Sequence, residues 1–132
     1  MEIGLGIPAT RYLEALSLRS HHLQLYNNAA FSHCDVVLLP TVGEEAPTLS
    51  ELDVGDSDEL PQMLRRLTGY TRPINYYGLP SINIPGGFSN NGLPLGFQII
   101  GRPYHEGLLF QMAAAFQHIT DYHKKSPELS GG

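Results

Sequence analysis

Residues 78–103 read GLPSINIPGGFSNNGLPLGFQIIGRP. Ten of these 26 residues are Gly or Pro, yet SINIP (81–85) and LGFQIIG (95–101) are apolar runs of strand length. Glycine has extra backbone entropy to lose inside regular structure, and proline withholds a hydrogen-bond donor. Their density therefore marks tight connections around two strands. Between the strands, FSNNGLP carries Asn91-Gly92, a strong short-range turn signal.

On the N-terminal side, TRPINYYGLP (71–80) leads into the first strand. Proline favours extended geometry in the residue before it, so Thr71-Arg72-Pro73 and Gly78-Leu79-Pro80 are read as two stops, with Asn75 able to hydrogen-bond local backbone in the bend. Upstream, ATRYLEALSLRSHHLQLYNNAAFSH (9–33) has helical spacing at Tyr12, Leu16, Leu23, Tyr26 and Ala30, with Thr10 as its expected N-cap. CDVVLLPT (34–41) follows as a strand whose continuous apolar run predicts cover on both faces. SDELPQMLRRLTG (57–69) predicts a helix capped by Ser57, with Pro61 tolerated in the first turn and Met63, Leu64 and Leu67 inward. The last helix is EGLLFQMAAAFQHITDYHKK (106–125), with Leu109, Met112, Ala113, Phe116 and Ile119 or Thr120 on one face. Its C-terminal Lys124 and Lys125 suit the helix dipole, and SPELSGG reads as a frayed tail. Helix, strand, helix, strand, strand, helix predicts an α/β fold, a mixed β-sheet flanked by helices.

The 132 residues are 42% hydrophobic and 16% charged, a globular composition sufficient for one core. No apolar run reaches membrane-span length, and the first residues lack a signal-peptide pattern. A single cysteine, Cys34, cannot form an internal disulfide, which fits a cytoplasmic setting. The net charge of −5 is local: seven acids and no base lie between Glu44 and Glu59, whereas six acids face eight bases elsewhere. That run reads as a solvated loop, since it lacks the spacing and central glycine of a calcium loop. No basic stripe interleaved with aromatics is present, so nucleic acid is not an expected partner.

Candidate chemistry is sparse. His21 and His22 are adjacent, and His118 and His123 are five apart, so neither pair has the i, i+4 spacing of a helical zinc site. His105 precedes Glu106 at a helix start, where capping is the simpler role. Cys34 beside His33 is expected to be a buried, inert thiol. GGFSN is not a nucleophile elbow, and PGGFSNNG lacks the lysine ending and following helix of a phosphate loop. No metal or cofactor is expected.

Several motifs together resemble the amidase signature family. They are Tyr12-x-x-Ala15-x-x-x-Arg19, Cys34-Asp-Val-Val-Leu-Leu-Pro-Thr41 with Ala46-Pro47 downstream, Thr71-Arg-Pro-Ile-Asn75-x-x-Gly-Leu-Pro80, and Gly92-Leu-Pro-Leu-Gly-Phe-Gln-Ile-Ile-Gly101. Leu108 through His123 looks like the family's closing helix. The pieces stand in the family's order over residues 9 to 127. The resemblance implies that residues 1–127 are the C-terminal part of an amidase signature domain and 128–132 a disordered tail.

Family members are hydrolases of carbon–nitrogen bonds other than peptide bonds, working through a Ser–cis-Ser–Lys triad in which lysine deprotonates a bridging serine and a glycine- and serine-rich loop stabilises the oxyanion. By the resemblance, all of those residues lie upstream of this portion. The chain has no Ser-Ser pair, and its only lysines, Lys124 and Lys125, are expected to be solvated. No catalytic residue is therefore assigned, and the chain is expected to be inactive alone. Thr41, Thr68, Thr71 and Asn75 are the implied contributors to the substrate-pocket wall. The branch that feeds glutamine ammonia to charged tRNA carries an acidic residue about three positions before the threonine matching Thr71. Thr68 stands there in this chain, which argues against glutamine as the amide. Strands cut from a larger sheet would expose edges and an apolar face, so self-association or a missing N-terminal amidase portion is the expected partner. The competing expectations are a non-catalytic binding or oligomerisation module, and one half of a split amidase.

Overall fold

The computed structural model describes residues 5–55 and 59–126. The elements are α1 (Ala9–Ala30), β1 (Val36–Pro40), α2 (Leu49–Leu52), α3 (Leu60–Thr68), α4 (Arg72–Tyr77), β2 (Ser81–Phe88), β3 (Pro94–Gly101), α5 (Glu106–Ile119) and a 3₁₀ turn at Tyr122–Lys124. The architecture is α/β, and the three strands form one sheet of order β1–β3–β2, antiparallel throughout. β3 pairs on both sides: Ile99 lies opposite Leu38 and Ile82, and Ile100 opposite Val37 and Ser81.

This arrangement explains the prolines. Pro40 closes the edge strand β1, Pro85 lies in the edge strand β2, and Pro94 opens β3. Each occupies a position where a missing N–H leaves the central ladder intact. Asn91-Gly92 forms the expected turn, with the Gly92 N–H donating to the Ser89 carbonyl (3.0 Å) and the Ser89 N–H to the Leu93 carbonyl (2.8 Å).

Consecutive residues of β3 face opposite sides of the sheet, and each side has its own core. Ile100 packs with Phe31, Ile74 and Leu79, backed by Leu23, Tyr26, Val37 and Leu39. Ile99 packs with Ile84, Leu109 and Ala113, backed by Val36, Phe97, Met112 and Phe116. The periodicity of α5 is thus seated as expected, and the ambiguity at its end resolves to Thr120, whose hydroxyl donates to the Phe116 carbonyl at 2.8 Å, whereas Ile119 is 81% exposed.

Other expectations are corrected. β1 is not covered on both faces: Leu38 shares the side of Ile99 yet is 58% exposed, because α5 packs over β2 and β3 rather than the β1 edge. Pro8, not Thr10, is the N-cap of α1, and Thr10 lies inside the helix. Arg72-Pro73 starts a helix instead of an extended stop; Thr71 is αR, and Pro73 sits in the first turn, where its absent N–H costs nothing. Gly78 ends α4 at φ 71°, and the Arg19 guanidinium occupies the space a side chain there would fill. Cys34 is exposed rather than buried, its thiol donating to the Ala30 carbonyl at 2.8 Å. His105 precedes α5 without a side-chain cap bond. The acidic run contains a helical turn, α2, with a Thr48–Glu51 capping box. The α3 cap expected at Ser57 lies outside the described residues; Glu59 is the N-cap, and Leu64 is exposed while Met63 and Leu67 are half-buried.

None of the 22 residues of α1 is buried. Besides the packing of Leu23 and the Arg19 contact at Gly78, Tyr76 donates its hydroxyl to the Ala15 carbonyl (2.5 Å), the Tyr26 and Tyr77 rings lie 5.2 Å apart, and Arg102 closes the C-terminal end. Burial, then the neighbouring Tyr77, pushes the Tyr26 hydroxyl pKa above its ordinary value. The Arg102 guanidinium sits 5.4 Å from the Phe31 ring centre and donates to the Phe31 and Cys34 carbonyls. A charged donor to carbonyls at a half-buried site is worth about 2 kcal/mol. Arg102→Met is expected to lower the melting temperature by roughly 5–8 °C, with Arg102→Lys intermediate. Thermal denaturation followed by circular dichroism checks this, and an unchanged midpoint for Arg102→Met contradicts the clamp.

Candidate functional site

The end of β1, the bend between α3 and α4, and the open side of the hairpin meet around β3. The residue joining them is Gln98, which is only 3% exposed and is the one polar residue among the buried described residues. Its Nε2 donates to the carbonyls of Pro40 (3.2 Å) and Tyr70 (3.1 Å), and its Oε1 accepts from the Ser81 hydroxyl at 3.1 Å. Buried polar groups need such partners, since one left unpaired costs about 1–3 kcal/mol. Pro40 and Tyr70 directly precede Thr41 and Thr71, so the carboxamide bonds the residue before each of two predicted wall residues.

Thr41 is half-buried, its N–H bonded to the Gly96 carbonyl (3.1 Å) and its hydroxyl donating to Asn83 Oδ1. Asn83 lies opposite Gln98 across the ladder and is on the same side of the sheet. Gly96 makes room for this pair: a Cβ there would stand 2.8 Å from Asn83 Oδ1 and 3.4 Å from Thr41 Oγ1. Thr68 and Thr71 are half-buried as well. The Thr68 hydroxyl donates to the Leu64 carbonyl at 2.5 Å, and the Thr71 hydroxyl to the Thr68 carbonyl at 3.3 Å. Asn75 does not join the others. It is exposed on α4, and only its main chain takes part in the bend, its carbonyl accepting from Gly78 N–H at 3.2 Å.

A threonine hydroxyl has one proton to give and two lone pairs to accept with. All three threonines spend the proton on the protein itself. What each can still offer a ligand is an acceptor, the group that an amide N–H requires.

Beside this cluster a cleft of about 640 Å³ is bounded by Pro40, Val42, Gly43, Gly86, Gly96 and Phe97, among others. None of the four predicted wall residues lines it, although Pro40, Val42 and Gly96 are immediate neighbours of Thr41 in sequence or pairing. Its rim is held by side-chain pairs. Arg66 meets Glu44 in a bidentate contact (2.7 and 3.0 Å), which raises the arginine pKa above its ordinary value. Glu45 accepts from Asn91 at 2.8 Å, and that bond followed by one from Ser89 holds its carboxyl below the usual range.

The residues singled out for catalytic chemistry lie elsewhere. His21 and His22 are exposed on α1 with ring centres 6.0 Å apart. Lys124 and Lys125 are exposed, though Lys124 is not left to water alone: its Nζ lies 2.7 Å from Asp121 Oδ1. Sequence reasoning missed Gln98, Asn83 and Arg102. The available signal was Gln98 itself, a lone polar residue within LGFQIIG, where a buried strand needs a reason to carry an amide.

A three-stranded sheet with helices on both faces thus carries three half-buried threonine hydroxyls, one just past the end of β1 and two at the α3–α4 bend. The family model for amidase matches residues 6–110, and the chain belongs to that family. It is 46% identical over 103 residues to a glutamyl-tRNA(Gln) amidotransferase subunit of Streptococcus equi subsp. zooepidemicus, covering 77% of this chain and 20% of that protein. The same subunit of Streptococcus agalactiae is 40% identical over 122 residues, covering 92% of this chain and 23% of that one. Among solved structures, 6-aminohexanoate cyclic dimer hydrolase in complex with substrate superposes with a TM-score of 0.82 at 24% identity, covering 96% of this chain and 28% of that one, a likeness of fold. The corresponding amidotransferase subunit from Thermotoga maritima gives a TM-score of 0.68 at 33% identity, covering 86% and 24%. The chain thus spans about a fifth of the length of the curated relatives it matches.

Proposed function

We propose that this chain is a C-terminal portion of an amide carbon–nitrogen hydrolase, supplying sheet, outer helices and pocket wall but no nucleophile–base pair, and inactive alone. The observation that carries this reading is the placement of the lysines. A serine hydroxyl attacks an amide only when a base takes its proton. Lys124 is paired with Asp121 and exposed, Lys125 is exposed, and among the described residues no lysine bonds a serine. Thr41, Thr68 and Thr71 contribute acceptor oxygens suited to a small amide's N–H groups. Asn75 contributes at most from the exposed side of α4. The relatives are named for glutamyl-tRNA(Gln), whereas Thr68 replaces the acidic residue expected in that branch and its hydroxyl is turned to Leu64. We therefore assign a small amide other than glutamine. The setting is the cytoplasm, in keeping with a single free cysteine; among the described residues no helix is long and apolar enough to cross a membrane.

Incubating the purified chain with a panel of simple amides and a serine-directed phosphonate is expected to give neither turnover nor labelling. Hydrolysis that disappears when a serine of this chain is mutated would overturn the proposal.

The partner is either the rest of an amidase chain or a second copy. Support comes from the outer surface: Tyr12 (62% exposed), Leu13 and Leu25 on α1, Leu38 on the edge strand, and Phe110 (66%) on α5. Exposed apolar side chains of this kind favour association where a partner covers them. Light scattering of the chain by itself is expected to report a dimer or larger species, and a clean monomer contradicts the proposed self-association.

A further inference from the structure

We propose that Gln98 is a positioning residue, setting Thr41 against Thr71 so that the two strand-end and bend segments form one wall. The inference rests on the wall reading above and assigns the residue that makes the wall a unit. Three observations support it.

The first is polarity. Ser81 Oγ donates to Gln98 Oε1, which fixes the orientation of the carboxamide and leaves Nε2 facing the Pro40 and Tyr70 carbonyls. Both protons of one nitrogen are then used, each on a different segment of the chain. The second is that neither segment is placed by a regular ladder alone. β1 ends at Pro40, and Thr41 N–H makes the last contact to β3; Tyr70 lies in the bend between α3 and α4, outside any strand. The third is a separate contact between the same two segments. The Tyr70 ring lies over Gly43, so close that a Cβ there would stand 2.8 Å from Cε2. This contact brings the segments near, while Gln98 sets their register through two directed hydrogen bonds.

A residue that merely filled space would be replaced by methionine without consequence, because Met matches Gln in length and volume but has no N–H. A positioning residue would not. The test is amide hydrogen exchange by NMR on the full chain. In Gln98→Met, the Thr41 and Thr71 amides are expected to exchange about tenfold faster or more, corresponding to the loss of a hydrogen bond, while Leu109 and Ala113 amides on the opposite core stay within about twofold. Equal rates at Thr41 and Thr71 in both proteins overturn the proposal, and so does an acceleration shared by Leu109 and Ala113. Should the variant fail to fold, the wild-type carboxamide decides: the Gln98 Nε2 protons are expected to exchange far more slowly than those of exposed Asn90. Similar rates for the two side chains overturn the proposal. Every readout is positional and requires no turnover, so the result stands apart from the amide-hydrolysis assay.

Discussion

Everything in this structure depends on the burial of β3 on both faces. Ile99 and Ile100 are adjacent, point in opposite directions and are 2% and 0% exposed. Each anchors a separate core, one against α1 and α4 and the other against α5. Burying a side chain of that size contributes about 1.5–3 kcal/mol. Neither core would close without the strand that both share.

The same constraint makes the polar site possible. A strand covered on both sides can carry a polar side chain only if protein groups replace water, and Gln98 meets that demand with three neighbours. Its partners are a strand end, a helix bend and a serine at the start of the next strand. The site therefore follows from the fold's central strand and not from a flexible loop. The catalytic half of the chemistry, as proposed here, belongs to residues outside this chain. The contrast fits the molecule's surface, where a 22-residue helix has no buried residue.

Much of this is legible in the sequence. LGFQIIG and SINIP are strands because their apolar runs are bounded by turn residues, and Asn91-Gly92 joins them as its φ requirement demands. The apolar face of α5 follows from helical spacing. The failures have physical causes too. The apolar run VVLL predicts two-sided cover for β1, but burial depends on which helix lies over which strand, and that is not local. Pro73 reads as a breaker when its effect on the preceding residue is weighed above its tolerance in a first turn. The exposed Cys34 and the clamp at Arg102 depend on how α1 ends against the sheet, a long-range fact. Thr41 and Thr71 can be named from their motifs, but the amide that connects them is 27 residues from the nearer one in sequence.

The coupling of the two cores through β3 makes them a single unit. Its most direct test is a urea titration followed by NMR, reading the amides of Ile74 in one core and Leu109 in the other. Coincident midpoints are expected, because losing either core uncovers β3 for both. Two separated transitions, with one core surviving the other's loss, would contradict it.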